Sequence, residues 1–406
     1  MDSDYRHGQD AELGMDHFAM MAMALLLGGS VTALIGEYTS SLAGPAIVLS
    51  LALAALGTLP MLYCLRVMNL HVPTADGLLG MLLAGWGRAP ARLMGAALLL
   101  ELVVASIGAA QSLARHARAV LASRSIEAGD GMPEPLMAAA GLALLGGIVL
   151  LPSRRVALSV CALLTVKIGV GLLLLALAAR HVHYANWVPW LPDATAPYRF
   201  GVGGVLAASV PLLGMYAGAG LALGVPGMGR QARARSPQLL AVALLSGMLL
   251  LMVLAALQAG LVGFPSLAGG QPLPVALQRH PQLQWVLPLL PLASVAGLAA
   301  LMLVLLSLAA RLAAQLWPAA RDEVPGLRMR LMAVVVILPA ALLALVLPMG
   351  GLPVLPGPVT LLVMAALSLA ALRVGRPVPG ALPVLAPLAA ALCVLAAAER
   401  MRAWPG

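Results

Sequence analysis

Charge is scarce in this chain: Asp, Glu, Lys and Arg together make up 10% of 406 residues, against 62% apolar, and the mean hydropathy is +0.99. Soluble globular domains carry about 25% charge, so that class is excluded. Cysteine is nearly absent. Cys64, Cys161 and Cys393 each fall inside a long apolar run, with neither the pairing of a disulfide framework nor the spacing of a metal site. The first sixteen residues, MDSDYRHGQDAELGMD, lack both a basic leader and a small-residue cleavage site, so no cleaved signal peptide is expected. The sharpest deficit is lysine. Of 24 basic residues all are arginine except Lys167. The net charge of +9 does not point to nucleic acid, because the arginines gather at the ends of apolar runs.

What remains is apolar sequence in membrane-length pieces. A hydrocarbon core of about 30 Å needs about 20 apolar residues per helix. By that measure eleven spans are expected, at 17–36, 44–65, 91–113, 135–151, 156–179, 201–225, 238–262, 284–308, 331–348, 352–372 and 380–398. The piece 77–88 is too short to cross and is expected at the interface. The connections are short and rich in Pro, Gly and Arg, which leaves one membrane domain over 17–398 between tails 1–16 and 399–406. More Arg flanks the spans on the side of the N-terminus than on the other, which predicts a cytoplasmic N-terminus. Trp86, Trp187, Trp190, Trp285, Trp317 and Trp404 lie at span ends or in loops, where interfacial anchors belong.

Against this background Lys167 stands near the middle of the fifth span, VALSVCALLTVKIGVGLLLLALAA. A charge at the bilayer centre costs about 2.5–3.5 kcal/mol on insertion scales, so an ionisable residue there is a functional candidate. Arginine keeps its proton at physiological pH, whereas a desolvated lysine can lose it. The competing reading is a snorkelling or structurally paired lysine. Glu101, in LLLELVVAS, is the carboxylate nearest the centre of any span. At 1.5 Å per residue it lies about 15 Å deep and Lys167 about 16 Å, so the two share a level and a direct or water-mediated pair is open. A static ion pair is the structural alternative.

Two spans carry helix breakers. Gly28, Gly29 and Ser30 interrupt the first, and adjacent glycines cost about 1 kcal/mol each in a helix. A break there would start a second half-helix near Ser30 and Val31, an anion site by dipole and by its free N–H groups, although glycine pairs also serve close packing. The sixth holds Pro211, Gly214, Gly218 and Gly220 around Tyr216. Interrupted spans at equivalent places in two five-helix halves are the sequence pointer to an inverted-repeat transporter. The expected architecture is therefore all-α, with repeats at 17–179 and 201–372 in a 5+5 leucine-transporter-like fold and an extra helix at 380–398. His181 and His183 have metal-like spacing, but no third ligand is near in sequence and no metal site is expected. No nucleophile, acid–base pair or metal cluster marks an enzyme.

The order of these features resembles the amino acid-polyamine-organocation superfamily of permeases, and in particular its proton-coupled, cationic-amino-acid-transporter-like bacterial branch. The resemblance runs from about residue 20 to the end. It rests on GGSVT at 28–32, AGPAIVLS at 43–50, HVPTADG at 71–77, LLLELVVAS at 98–106, SRRVALSVCALLTVKIGVGLLLL at 153–175, YANWVPWLP at 184–192, VAGLAALMLVLLSLAAR at 295–311, ARD at 320–322 and GRPVPGALPVL at 375–385. It implies a multi-pass transporter of the bacterial inner membrane, moving an amino acid or amine by alternating access. The substrate carboxylate would sit at Gly28, Gly29, Ser30 and Val31, and its amino group at carbonyls around Tyr216, Ala217, Gly218 and Ala219. Lys167, with Glu101, would carry the coupling proton. Ala299 and Ala300 stand where sodium-coupled relatives have ion-binding hydroxyls, which speaks for protons and against sodium. The chain departs from the pattern at Thr32, Ala219, Gly220, Gly227 and Met228, and a non-transporting relative acting as a sensor or subunit is the alternative reading.

Overall fold

The computed structural model describes residues 13–29, 31–72, 77–123, 132–228, 230–268, 272–317, 325–350, 352–353, 357–374 and 380–402. Ser30, residues 73–76 of the HVPTADG loop, the ARD turn at 320–322, residues 375–379 and Trp404 lie outside them. Among the described residues the chain is helix and connecting loop, and the β-type pairs are two isolated bridges.

The helices are α1 (Met15–Leu27), α2 (Val31–Tyr38), α3 (Ile47–His71), α4 (Gly77–Trp86), α5 (Arg88–Ser123), α6 (Glu134–Val149) and α7 (Ser153–Ala178). Then follow α8 (Gly201–Gly218), α9 (Arg230–Val262), α10 (Pro272–Gln278), α11 (Leu289–Leu316), α12 (Pro325–Val346), α13 (Pro358–Val374) and α14 (Leu382–Arg402). Among the described residues eight helical stretches are long and apolar enough to cross a membrane; α1, α4, α6 and α13 are shorter apolar helices. This is a polytopic membrane protein. Its periphery agrees: Leu93 is 74% exposed, Leu144 71% and Val346 83%, a degree of apolar exposure that suits hydrocarbon and not water.

The core is organised on α11. From Ala296 to Ala313 every side chain of this helix is buried. A helix that is apolar all round belongs in the middle of a bundle, and α11 packs there against α5, α7 and α12. The short piece expected at the interface, 77–88, packs against the bundle over its helical part. That part is helix α4, with Leu78, Leu79, Met81 and Leu82 buried, and the Trp86 indole N–H donates to Ala366 O of α13 at 2.9 Å.

Between α12 and α13 the described residues 347–350, 352–353 and 357 are non-helical and run beside α5. Backbone polar groups at membrane depth need internal partners. Gln111 of α5 supplies them, donating from Nε2 to Leu347 O (3.4 Å) and Pro348 O (3.3 Å) and accepting from Gly350 N (3.3 Å) at Oε1. The tenth span therefore starts as helix at Pro358, later than the expected 352.

Candidate functional site

The first span is interrupted where its glycines stand. α1 ends at Leu27, Gly28 and Gly29 form a bend, and α2 begins at Val31. Interruption leaves the last carbonyls of α1 without intrahelical donors and the first N–H groups of α2 without intrahelical acceptors. Lys167 takes the carbonyl side. Its Nζ donates to Gly28 O at 3.2 Å and Gly29 O at 2.9 Å. A cation at a helix C-terminus also meets the negative end of the helix dipole. The lysine is thus neither snorkelling nor paired with an acid among the described residues: its charge rests on two backbone dipoles at the break.

Two glycines make this seat. A Cβ on Gly297 of α11 would fall 2.4 Å from Lys167 Cδ, 2.7 Å from Nζ and 2.9 Å from Gly28 O. A Cβ on Gly28 would fall 2.7 Å from Leu301 Cβ and 2.9 Å from Gly297 O. All five distances lie below any ordinary carbon contact, so α1, α7 and α11 meet through a notch that admits no side chain but the lysine. Gly297 was not singled out by the sequence, although a glycine in the Ala/Leu run AGLAALMLVLL is the signal that a close approach leaves.

Glu101 does not meet the partner that its expected depth left open. Its Oε2 accepts from Val359 N (2.7 Å), and its Oε1 accepts from Thr360 N (2.9 Å) and from the Thr360 hydroxyl. A side chain on α5 thereby caps the start of α13, filling the place of a local N-cap residue. The space for it comes from Gly357, whose Cβ would lie 2.7 Å from Oε2. The possible Glu101–Lys167 pair is therefore not what the structure shows; the carboxylate faces the start of α13, and the lysine runs into the notch at Gly297. Glu101→Ala is expected to lower unfolding stability by about 2–4 kcal/mol, because it strands three donors. Thermal unfolding of the purified protein checks this, and Glu101→Gln, which keeps one acceptor oxygen, should lose about half as much.

The sixth span differs from expectation. It does not open. After Gly218 the backbone tightens from α to a 3₁₀ helix over Ala219–Gly224, and Ala219 N–H donates to Tyr216 O and Ala217 O. Tyr216, Ala217, Gly218 and Ala219 are all buried. The carbonyls expected to lie exposed there are turned into the chain's own hydrogen bonds. One of the glycines read as a breaker serves close packing: a Cβ on Gly220 would meet Met364 Sδ at 2.9 Å. Arg311, a buried cation of α11, donates to Gly224 O at 3.2 Å and to Val225 O, closing the C-terminal end of the 3₁₀ stretch.

Two buried polar atoms near these elements have no hydrogen-bond partner among the described residues: the Tyr216 hydroxyl and Gln258 Oε1. Gln258, on α9, reaches Thr32 O of α2 with Nε2 at 3.5 Å. It was also not singled out, though an amide in the apolar run ending LMVLAALQAGLV was there to be read.

A cavity of about 350 Å³ lies at the end of the bundle where α1 starts, lined by Met21, Leu150, Pro152, Val156, Gly227 and Ser307 among others. Met21 is seven residues from Gly28, about 10 Å along a helix. At the same end Leu13 N donates to Gly227 O at 2.8 Å, tying the entry of α1 to the exit of the sixth span. The YANW loop does a similar job at the other end: Asn186 Nδ2 donates to Gly260 O (2.7 Å) and Trp187 Nε1 to Ala256 O (3.0 Å), fixing the last turns of α9. The His181 ring lies beside that of His280, centroids 5.5 Å apart and planes tilted by 40°, and among the described residues no group of three or more His, Cys, Asp or Glu is arranged to hold a metal. Compared with models of known protein families the chain matches none, and no curated protein matches it either.

Proposed function

We propose that the protein is a secondary transporter of amino acids or related amines, coupled to protons through Lys167 and working by alternating access. The observation that carries this reading is the contact of Lys167 Nζ with both carbonyls of the first-span break. An ammonium there holds the carbonyl end of α1 against α7 and α11; without its proton, the amine loses its charge and one of three donors, and the hold on the break weakens. Protonation thus biases an element with two arrangements, which is what coupling requires. The start of α2 faces the same break and offers N–H groups and a positive dipole end to a carboxylate. The cavity below Met21 serves as the vestibule on the side of the N-terminus.

In this reading the chain resembles the proton-coupled bacterial branch of the amino acid-polyamine-organocation superfamily. It folds as two inverted five-helix repeats with an added helix, sits in a bacterial inner membrane with its N-terminus in the cytoplasm, performs no chemistry on its substrate, and uses protons in place of sodium. The interruption of the first span at Gly28 and Gly29 supports the repeat arrangement. The residues Tyr216 to Ala219 border the site as buried wall. Glu101 is a second place where a proton would act on structure, because a protonated carboxyl cannot accept all three bonds that start α13.

The test is uptake of a radiolabelled amino acid mixture into proteoliposomes, sodium-free, with and without an imposed inward proton gradient. Gradient-dependent accumulation is the expected result. Absence of uptake of every amino acid and amine by folded protein would refute it.

A further inference from the structure

We infer that Gln258 is the residue that recognises the amino group of the ligand. The inference rests on the permease reading and deepens it. Gln258 is 2% exposed, and its Oε1 accepts no hydrogen bond among the described residues. Buried side-chain amides are nearly always satisfied, so an orphaned acceptor asks for a donor that the protein does not itself supply. Its place says which donor. Nε2 reaches Thr32 O at 3.5 Å, which sets the amide group against the first turn of α2, the turn that follows the break. The start of that helix attracts a carboxylate. An anion-attracting helix start and an unfilled acceptor oxygen side by side form a complement to a zwitterion: carboxylate on the N–H groups, ammonium on Gln258 Oε1.

Two further observations favour this assignment. Tyr216 O and Ala217 O, where the amino group was expected to bind, already accept from Ala219 N–H, and the segment is closed and buried. The turn that carries Gln258 is held on both sides, by Trp187 Nε1 on Ala256 O and Asn186 Nδ2 on Gly260 O, so the amide is presented from a fixed backbone. A neutral acceptor, in place of a carboxylate, suits an α-amino group whose charge is balanced by its own carboxylate.

The experiment compares binding of two probe mixtures to the purified full-length protein, by thermal unfolding in detergent. One mixture contains amino acids, the other the corresponding acids lacking the α-amino group. The wild type is expected to be stabilised by the first and hardly by the second. Gln258→Leu is expected to weaken amino acid binding about 10- to 100-fold, the loss of a hydrogen bond to a charged group, down to the level of the deaminated acids. Gln258→Glu, which keeps the acceptor, should retain the preference. Without ligand the Leu variant should unfold close to the wild type, since the unpartnered oxygen it removes offsets the long Nε2–Thr32 O contact it gives up. If the Leu variant alone fails to fold, Gln258→Met takes its place; a large drop in both variants would mark Gln258 as a structural residue and overturn the inference. Amino acid binding by the Leu variant at wild-type affinity would also overturn the inference, while leaving the permease reading intact. A wild type that neither binds nor takes up any amino acid would remove both.

Discussion

Lys167→Ala is expected to abolish gradient-driven accumulation while leaving substrate binding and downhill equilibration in place. With one proton moved per substrate, a gradient of one pH unit is worth about 1.4 kcal/mol and supports about tenfold accumulation. In the alanine variant the ratio should fall to one. The variant is also expected to fold, and the magnitudes say why. Removing the side chain strands Gly28 O and Gly29 O at about 1–3 kcal/mol each, but it also removes a buried ammonium whose insertion costs about 2.5–3.5 kcal/mol. The two effects partly offset each other, leaving a net loss of about 1 kcal/mol at their midpoints and about 3.5 kcal/mol at most, so the transport defect can be read in folded protein. Lys167→Arg should fail differently. It keeps a permanent charge in a notch shaped for a straight chain, locking the break in its protonated-like arrangement and slowing exchange as well as net uptake. Accumulation ratios beside counterflow rates in the same vesicles separate the two outcomes.

Gly297→Val should reproduce the coupling defect from another helix. Its Cβ alone would stand 2.4 Å from Lys167 Cδ and 2.9 Å from Gly28 O, and the second of these is backbone that cannot move aside cheaply. Overpacking of this kind costs about 1–3 kcal/mol in a packed core. The unfolding midpoint should fall by several degrees, and the lysine, displaced from the carbonyls, should no longer couple. Gly297→Ala is the milder form, expected to keep transport but to lower the accumulation ratio. The pair distinguishes a specific seat from general looseness: valine placed at Gly169, where a Cβ would meet nothing within 4 Å, should leave both stability and coupling unchanged.

The membrane class, the helical pieces and the unusual position of Lys167 were legible in the sequence because each depends on local composition. A single lysine in a membrane-length apolar run, and two adjacent glycines in another, are costly enough to be noticed without knowing what surrounds them. What surrounds them was not legible. Glu101 and Lys167 were expected at one depth, but depth does not say which way a side chain faces on its helix, and Glu101 faces the start of α13. The glycines of the sixth span were read as breakers because glycine weakens an isolated helix; in the bundle Gly220 admits Met364, and packing overrides propensity. Gly297 and Gln258 were visible as exceptions in their apolar runs, but their meaning depends on which neighbour they touch, Lys167 in one case and Thr32 in the other.

The most direct measurement of coupling is the proton itself. Proteoliposomes holding a pH-sensitive dye in the lumen, with no gradient imposed and no sodium present, receive an external amino acid mixture. If Lys167 carries the coupling ion, the lumen acidifies as substrate enters through the wild type, and substrate enters without acidification through Lys167→Ala. Substrate entry through the wild type with no movement of protons, or equal acidification in both proteins, would contradict the role of Lys167.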